Sequence, residues 1–373
     1  MNDVTRIGID TSKSVFVLYG VNAAEQPILR KKLRRRQLLG FLTKLSPARI
    51  GIEACGGAHH WAREIGALGH QVDLLPPQLV KPYVQRNKND SRDAEAICEA
   101  MSRPRMRYVP VKTAEQQADL MLVGMRDQLT ARRTQLSNMI RGHAAEFGLV
   151  AGKGHGKIRP LLVRIAADET LPALSKEMFA GLAAEYESIT SRLRQIDAKL
   201  MAWHRGNELS RRLAEIPSIG PIGATLLTMK VPDPQAYRTG RDFAAWVGLT
   251  PKDHSTAGKQ RLGVITRAGD EELRRVLVVG ATAVIQQVRR GRGPASPWLI
   301  ALVKRKPPKL AAVALANKTA RIAWKLMVSG QRYHHSIASA GRLAPLNGAP
   351  RRPALAAGHT AGHSKPAGAS WGT

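Results

Sequence analysis

Four acidic residues in the first quarter of the chain have a spacing that suggests a metal site. Asp10 ends an apolar stretch in GIDTSK, and Glu53 ends another in IGIEACGG. Asp90 and Asp93 lie three residues apart in NDSRDAEAI, so on a helix they share one face. Converging carboxylates repel one another unless a cation lies between them, and oxygen ligands favour Mg²⁺ or Mn²⁺. Two such ions can activate the attacking oxygen and stabilise the leaving oxygen at a phosphodiester.

Each of these acids also has a purely structural explanation. Asp90 could cap a helix, Asp93 could lie on a solvated helix face, and Asp10 could cap a turn. Glu53 is harder to explain in this way, because it follows an apolar strand and precedes a glycine pair. The order of the four acids, together with the charge of the chain, favours the metal-site interpretation.

A second set of reactive residues lies in a loop predicted at 250–266. Ser255 lies there among cations, and a serine hydroxyl can attack a phosphorus atom while cations stabilise the developing charge. By residue type alone, such a serine is more often a turn residue, and Thr256 is a neighbouring candidate. The cations predicted to contact nucleic acid are Lys252, Lys259, Arg261, Arg267, Arg274 and Arg275.

The segment LAEIPSIGPIGATLL, at 213–227, predicts two helices that meet at a tight hairpin. Pro217, Gly220 and Gly223 mark the turn. A helix-hairpin-helix of this kind presents backbone N–H groups to a phosphate oxygen, so Gly220 and Gly223 are candidate nucleic-acid contacts. An ordinary helix-turn-helix corner is the alternative interpretation.

The composition indicates a polyanionic partner. The 373 residues include 58 Lys or Arg and 28 Asp or Glu, a formal net charge of +30, and 17 of these cations follow the last acid, Glu272. Nucleic acid is the usual partner of such a chain. The two cysteines form no CxxC pair, which argues against a disulfide framework or zinc site and is typical of a reducing cytoplasm. We expect no signal peptide and no membrane span.

The predicted elements place the acids at one edge of a sheet. Three strands in a meander, followed by strands that alternate with helices, describe an α/β domain with a mixed sheet. The ends of its first and fourth strands can lie side by side, and a helix packed nearby can add Asp90 and Asp93. The predicted strands are 4–10, 14–20, 27–33, 48–54 and 71–75, the helices are 34–45, 59–69 and 90–102, and a short extended piece is 107–111.

The remainder of the chain is predicted to be mostly helical. Two long amphipathic helices, at 120–147 and 179–206, form an antiparallel pair joined by a turn or loop around 152–160. A tail rich in Ala, Gly and Pro cannot build a core and is predicted to be disordered. The predicted divisions are 1–111 for the carboxylate domain, 112–206 for a helical arm, 207–330 for the serine-bearing domain and 331–373 for the basic tail.

Seven motifs in order resemble one protein family. They are GIDTSK, EACGGAHHWAR, NKNDSRDAEAI, IPSIGPIGA, FAAWVGLTP, HSTAGKQRLG and GDEELRR. From about residue 4 to 330, the chain resembles the DEDD transposases of bacterial insertion sequences, a group that includes Piv-type DNA invertases. At the nucleophile segment this chain has HSTAG, where the resemblance leads us to expect HSSGG in many members of the family.

The resemblance implies a fold, a site and partners. The N-terminal domain would have the RuvC-like fold of the ribonuclease H superfamily, with Asp10, Glu53, Asp90 and Asp93 binding Mg²⁺. Ser255 would be the nucleophile that forms a covalent phosphoserine link to DNA, and the acidic site of one subunit would act with the serine of another. The implied partners are DNA, a structured guide RNA and further copies of the chain in a dimer or tetramer, in the nucleoid of a bacterial cytoplasm.

Three other activities remain open from the sequence. A DNA invertase would use the same residues, whereas a junction endonuclease of the same fold would need the four acids and not Ser255. A non-catalytic nucleic-acid-binding protein would have structural acids and no metal dependence.

Overall fold

The structure, a computed structural model, describes residues 3–84, 90–104, 106–292 and 295–334, with the side chains of residues 90 and 91 excepted. Its N-terminal part is a five-stranded sheet with helices on both faces, so the predicted mixed sheet is confirmed. The elements are β1 (Arg6–Thr11), β2 (Val15–Val21), β3 (Pro27–Arg34), α1 (Leu38–Leu42), β4 (Arg49–Glu53), α2 (Ala58–Ala67), β5 (Gln71–Leu75), α3 (Pro77–Val80) and α4 (Asp90–Met101).

The sheet has the strand order β3-β2-β1-β4-β5. The first three strands pair antiparallel as a meander, and β1, β4 and β5 pair parallel. Ile7, Ile9, Ile50 and Ile52 are fully buried. In both strands a glycine lies between the two isoleucines, on the face that a helix covers closely.

Two segments of the N-terminal part contain less regular structure than their sequence predicts. The helix predicted at 34–45 is a short 3-10 helix at Arg35–Gln37 followed by α1, because Arg34 still pairs with Val15 at the end of β3. Only Leu38 and Leu42 of α1 are buried, so the apolar pattern supports little more than one helical turn. The extended piece predicted at 107–111 forms a single bridge, between Val109 and Leu74.

The helical arm is an antiparallel pair, as its periodicity predicted. It contains α5 (Ala114–Glu146) and α7 (Ala173–Gly206). Arg126 Nε lies 2.6 Å from Asp197 Oδ1, and the indole N–H of Trp203 donates to Asp119 at 2.9 Å. As the residue number rises on one helix it falls on the other, which is the signature of antiparallel packing.

The connection between the long helices contains a helix that was not predicted from the sequence. Residues 152–160 were predicted as a loop, yet α6 (Ile158–Ala167) begins within them. Pro160 lies in its first turn, where a missing backbone N–H costs no helical hydrogen bond. Ile158, Leu161 and Ile165 are buried, so packing of this apolar side stabilises the helix.

The C-terminal part packs onto the arm through one continuous apolar core, which extends from Val123 to Met327. Of the tail predicted at 331–373, only residues 331–334 lie within the described chain. Among the described helices, none combines the length and hydropathy needed to cross a bilayer. The elements are α8 (Glu208–Leu213), α9 (Pro221–Lys230), α10 (Gly240–Trp246), β6 (Pro251–Asp253), β7 (Leu262–Ile265), α11 (Glu271–Arg289), α12 (Pro297–Arg305) and α13 (Pro308–Ser329).

Candidate active site

Two of the predicted acids lie side by side at the same edge of the sheet. Strands β1 and β4 are parallel, and the last paired residues in their register are Ile9 and Ile52. One residue further along each strand are Asp10 and Glu53. The parallel pairing therefore brings together two acids that are 43 positions apart in the chain.

The contacts of two glycines with α4 show which face of the sheet carries these acids. A Cβ atom on Gly8 would lie 2.1 Å from the carbonyl oxygen of Ala94, and one on Gly51 would lie 2.2 Å from Met101 Sδ. Helix α4 therefore packs directly on the backbone of β1 and β4. Side chains alternate between the faces of a strand, so Asp10 and Glu53, each two residues beyond a glycine, lie on the face that α4 covers.

The first turn of α4 is directed toward the same edge of the sheet. Cys98 Sγ lies 3.9 Å from the carbonyl oxygen of Arg6, whereas Ala94 lies over Gly8. Helix α4 therefore runs antiparallel to β1, and its N-terminal end lies near the carboxyl end of that strand. Asp93, which is half-buried, lies in this first turn.

The fourth acid, Asp90, begins α4, and its side chain lies outside the described residues. Asp10 and Glu53 both have interaction partners in the structure. Among the side chains that are described, no three of the types His, Cys, Asp and Glu are grouped closely enough to hold a metal ion.

Helix α2 begins after Glu53 and connects this edge of the sheet to the arm. His59 Nδ1 accepts the backbone N–H of Lys112 at 3.2 Å, one residue before the cap of α5. Burial, together with the positive charges of Lys112 and Arg63, lowers the pKa of His59 from 6.5 to about 4. His59 is therefore neutral at pH 7 and acts here as a hydrogen-bonding residue.

Ser255 lies in an exposed β-hairpin, where the sequence predicted a loop at 250–266. Strands β6 and β7 pair antiparallel on either side of it. The hydroxyl of Ser255 donates to Asp253 Oδ1, which also accepts the backbone N–H of Ser255 at 2.9 Å. The backbone N–H of Arg261 donates to Ser255 Oγ at 3.0 Å. Asp253, which was not among the predicted site residues, thus holds the hydroxyl in one orientation.

The carboxyl group of Asp253 is ionised at neutral pH. The hydrogen bond from the Ser255 hydroxyl, followed by that from its backbone N–H, lowers the pKa of Asp253. The spacing of the two residues in DHS is typical of an aspartate that accepts from the backbone two residues later, and this signal was available in the sequence.

The six cations predicted near the serine fall into two groups. Lys252, Lys259, Arg261 and Arg267 are exposed.

The other two, Arg274 and Arg275, have structural partners. Arg274 donates to the carbonyl oxygens of Val247 and Ala268, at 2.9 and 2.8 Å, and Arg275 forms an ion pair with Asp127 of α5. These two arginines connect α11 to the hairpin and to the arm.

The two glycines of the predicted hairpin also differ from each other. Gly220 is the exposed N-cap of α9, with open space around it. Gly223 is buried in α9, and a Cβ there would lie 2.9 Å from Val276 Cγ1. Gly220 is therefore accessible to a ligand, whereas Gly223 allows close packing of α9 against α11.

Two family profiles match the chain. The profile for DEDD transposases of the IS110 type, described as transposase, matches residues 7–147, and the transposase IS116/IS110/IS902 family profile matches residues 210–294. The first match covers the acidic edge of the sheet and α5 of the arm, and the second covers the hairpin that carries Ser255.

Individual relatives match along most of their length. A putative transposase of Sinorhizobium fredii is 63% identical over 90% of this chain and 87% of its own. A probable family 20 transposase of Pseudomonas aeruginosa is 45% identical over 87% and 97%, and the transposase for insertion sequence element IS1111A of Coxiella burnetii is 37% identical over 89% and 92%. This chain therefore belongs to the IS116/IS110/IS902 family of insertion-sequence transposases and is a DNA transposase.

Proposed function

We propose that this transposase cuts DNA at a divalent-metal centre formed by Asp10, Glu53, Asp90 and Asp93, in a domain with the RuvC-like fold. The observation that carries the proposal is the shared edge of β1 and β4, where Asp10 and Glu53 follow the paired residues Ile9 and Ile52. Asp93 is in the first turn of the helix that covers the same face.

The donor set suits a hard cation. Carboxylate oxygens are the ligands that Mg²⁺ and Mn²⁺ prefer, and a cation bound between converging carboxylates offsets their mutual repulsion. A bound divalent ion would supply stabilisation of negative charge at the scissile phosphodiester.

Ser255 is the proposed nucleophile. Its oxygen attacks a DNA phosphorus atom, so a phosphoserine bond forms while the bond to the departing DNA oxygen breaks. The hydroxyl proton passes to Asp253, which already accepts that hydrogen, and solvent protonates the departing oxygen. Attack by a second DNA hydroxyl on the phosphoserine then rejoins the strands and restores the serine. A covalent protein–DNA adduct that Ser255→Ala cannot form is the expected evidence.

The four exposed cations of the hairpin support this role. Lys252 and Lys259 lie within four residues of Ser255, and Arg261 lies opposite it, with its backbone bonded to the serine oxygen. Positive charge close to the reacting phosphate stabilises the charge that develops in the transition state. The exposed start of α9 at Gly220, in the proposed helix-hairpin-helix, is a further phosphate contact.

The proposed partners beyond DNA are a structured guide RNA and a second copy of the chain. Long cations that reach backbone phosphates carry little sequence information, so base pairing with an RNA can supply specificity. The far end of the arm exposes apolar side chains that suit contact between copies, with Val163, Leu174 and Met178 exposed by 69%, 68% and 52%.

Neutralising the acids tests the metal centre. Asp10→Asn and Glu53→Gln should each reduce cleavage of element-end DNA by more than about 100-fold, because charge stabilisation at the phosphate is lost. Titration calorimetry with Mn²⁺ should register weaker binding, while circular dichroism remains unchanged. Glu64→Gln, which removes an exposed acid from α2, is the matched control. Full cleavage by either site variant would contradict the metal-centre proposal.

A further inference from the structure

We infer that a basic groove on the N-terminal domain binds the phosphate backbone of the DNA whose strand is presented to the acidic edge. The groove, of about 660 Å³, is lined by Lys13, Arg34, Arg35, Arg36 and Trp61 among others. This inference rests on the proposed function, because it identifies the substrate strand that reaches Asp10.

Among the described residues, no acidic side chain offsets the charge of the groove. Lys13 and the three arginines are exposed, and no acidic side chain is among the lining residues, all of which the structure describes. Within the described chain, none of the four cations forms an ion pair. Four cations with no acidic partner form a strong site for a polyanion.

The groove is built in advance of binding. The backbone N–H of Arg35 donates to the carbonyl oxygen of Ser14 at 2.9 Å, which joins the turn after β3 to the turn after β1. The guanidinium of Arg35 lies over the Trp61 ring, 4.8 Å from its centroid. Stacking on a buried indole limits the motion of the arginine, so less entropy is lost when a phosphate binds.

The position of the groove connects it to the acidic edge. Lys13 is three residues beyond Asp10, so their Cα atoms are at most about 11 Å apart. Trp61 belongs to α2, the helix that follows Glu53. Trp61 lies in the core with Ile7 and Ile9, on the face of the sheet opposite to α4. A DNA strand in the groove therefore has to pass around the carboxyl end of β1 to reach the acids, and at about 3.4 Å per nucleotide the part of this path from Lys13 to Asp10 spans three to four nucleotides.

The chemistry of the lining favours backbone contacts. The side chains that can reach a ligand are long cations. Among the residues that line the described groove, Trp61 alone has an aromatic ring, which is 6% exposed and covered by Arg35. No ring is therefore available to stack on a base. The groove should bind DNA with little sequence preference.

Salt-dependent binding of the full chain tests the inference. In the triple variant R34Q/R35Q/R36Q, the slope of log K against log salt for a fluorescein-labelled DNA duplex should fall by about 2.7, since each lost phosphate contact removes about 0.9. The control R30Q/K31Q/K32Q removes the same charge from β3, outside the groove lining, and should change the slope by less than about 0.9. Measuring without divalent metal, and also in a Ser255→Ala background, separates this result from failure of the cleavage proposal.

An RNA duplex of the same sequence distinguishes the class of ligand. The inference is supported if the salt slope of DNA binding falls in the groove variant and not in its control. Equal falls in the groove variant and its control would overturn it in favour of a diffuse electrostatic attraction. A fall for RNA with none for DNA would overturn it in favour of an RNA-binding groove.

Discussion

Asp253 orients the hydroxyl of Ser255, the proposed nucleophile. Asp253 accepts both the backbone N–H and the hydroxyl of Ser255, and Arg261 donates its backbone N–H to the same oxygen. A reacting group that is already oriented loses less entropy on the way to the transition state. Thr256, the neighbouring candidate, instead pairs through its backbone with Lys259 across the tip.

The tip of this hairpin requires an unusual backbone conformation. Ala257 has φ 48° and Gly258 has φ 76°, so both central residues are left-handed, as in a type I′ turn. A left-handed residue other than glycine costs roughly 1–2 kcal/mol. Glycine can adopt this conformation at position 257 without that cost.

Replacing Ala257 by glycine should therefore stabilise the hairpin. After subtraction of the extra freedom of glycine in the unfolded chain, the gain should be about 0.5–1 kcal/mol. Hydrogen exchange of the Lys259 amide, which donates to Thr256 at 3.0 Å, should slow by about two- to five-fold. Gly258→Ala, with open space around its Cβ, should accelerate the same exchange. Slower exchange in Gly258→Ala would contradict the strain argument.

Helix α4 and strands β1 and β4 are positioned by two glycines. Gly8 and Gly51 leave no room for a Cβ between the sheet and the helix that bears Asp90 and Asp93. This contact sets the height of α4 above Asp10 and Glu53. The geometry of the proposed metal centre therefore depends on residues that are not themselves ligands.

Gly8→Ala should separate the helix from the sheet. The new methyl group would meet the Ala94 carbonyl at 2.1 Å, so overpacking should cost about 1–3 kcal/mol in urea denaturation and weaken Mn²⁺ binding. Gly66→Ala, on the exposed side of α2 with open space around it, should stabilise the fold by up to about 1 kcal/mol. Unchanged stability and metal affinity in Gly8→Ala would show that α4 is not held by this contact.

The sequence predicted the elements whose pattern is local. Asp10 and Glu53 could be located because each ends a short apolar strand, and the arm could be recognised from its long helical period. Helix α6 was missed because its glycine- and proline-rich start resembles a loop, although tertiary burial of Ile158 and Leu161 stabilises it. The hairpin around Ser255 was missed because its short strands are exposed and lack an apolar pattern.

The basic groove was not predicted for a different reason. The run Arg34–Arg36 was assigned to a helix, and its importance depends on the turn after β1, which lies 20 residues earlier in the chain. The structural contacts of Arg274 and Arg275 were not predicted either, because their partners Val247 and Asp127 are distant in sequence. Such pairings are determined by the tertiary fold.

On the scale of the whole molecule, the arm connects the two proposed centres, the acidic edge of the sheet and the hairpin that carries Ser255. His59 and Lys112 join α2 to the start of α5, and the ion pair between Asp127 and Arg275 joins α5 to α11. Arg274 then ties α11 to the backbone beside the hairpin. Contacts between the arms of two copies would therefore fix the position of each Ser255 relative to the acids of its partner.

Trapping the covalent intermediate tests the central claim most directly. The full chain, with element-end DNA, Mg²⁺ and the flanking transcript, should yield an adduct that survives denaturant, and mass spectrometry of its peptides should locate the nucleotide on Ser255. Thr256→Ala should retain the adduct, whereas Ser255→Ala and Asp10→Asn should lose it. Metal-dependent cleavage that proceeds without any adduct, or an adduct that persists in Ser255→Ala, would contradict the account.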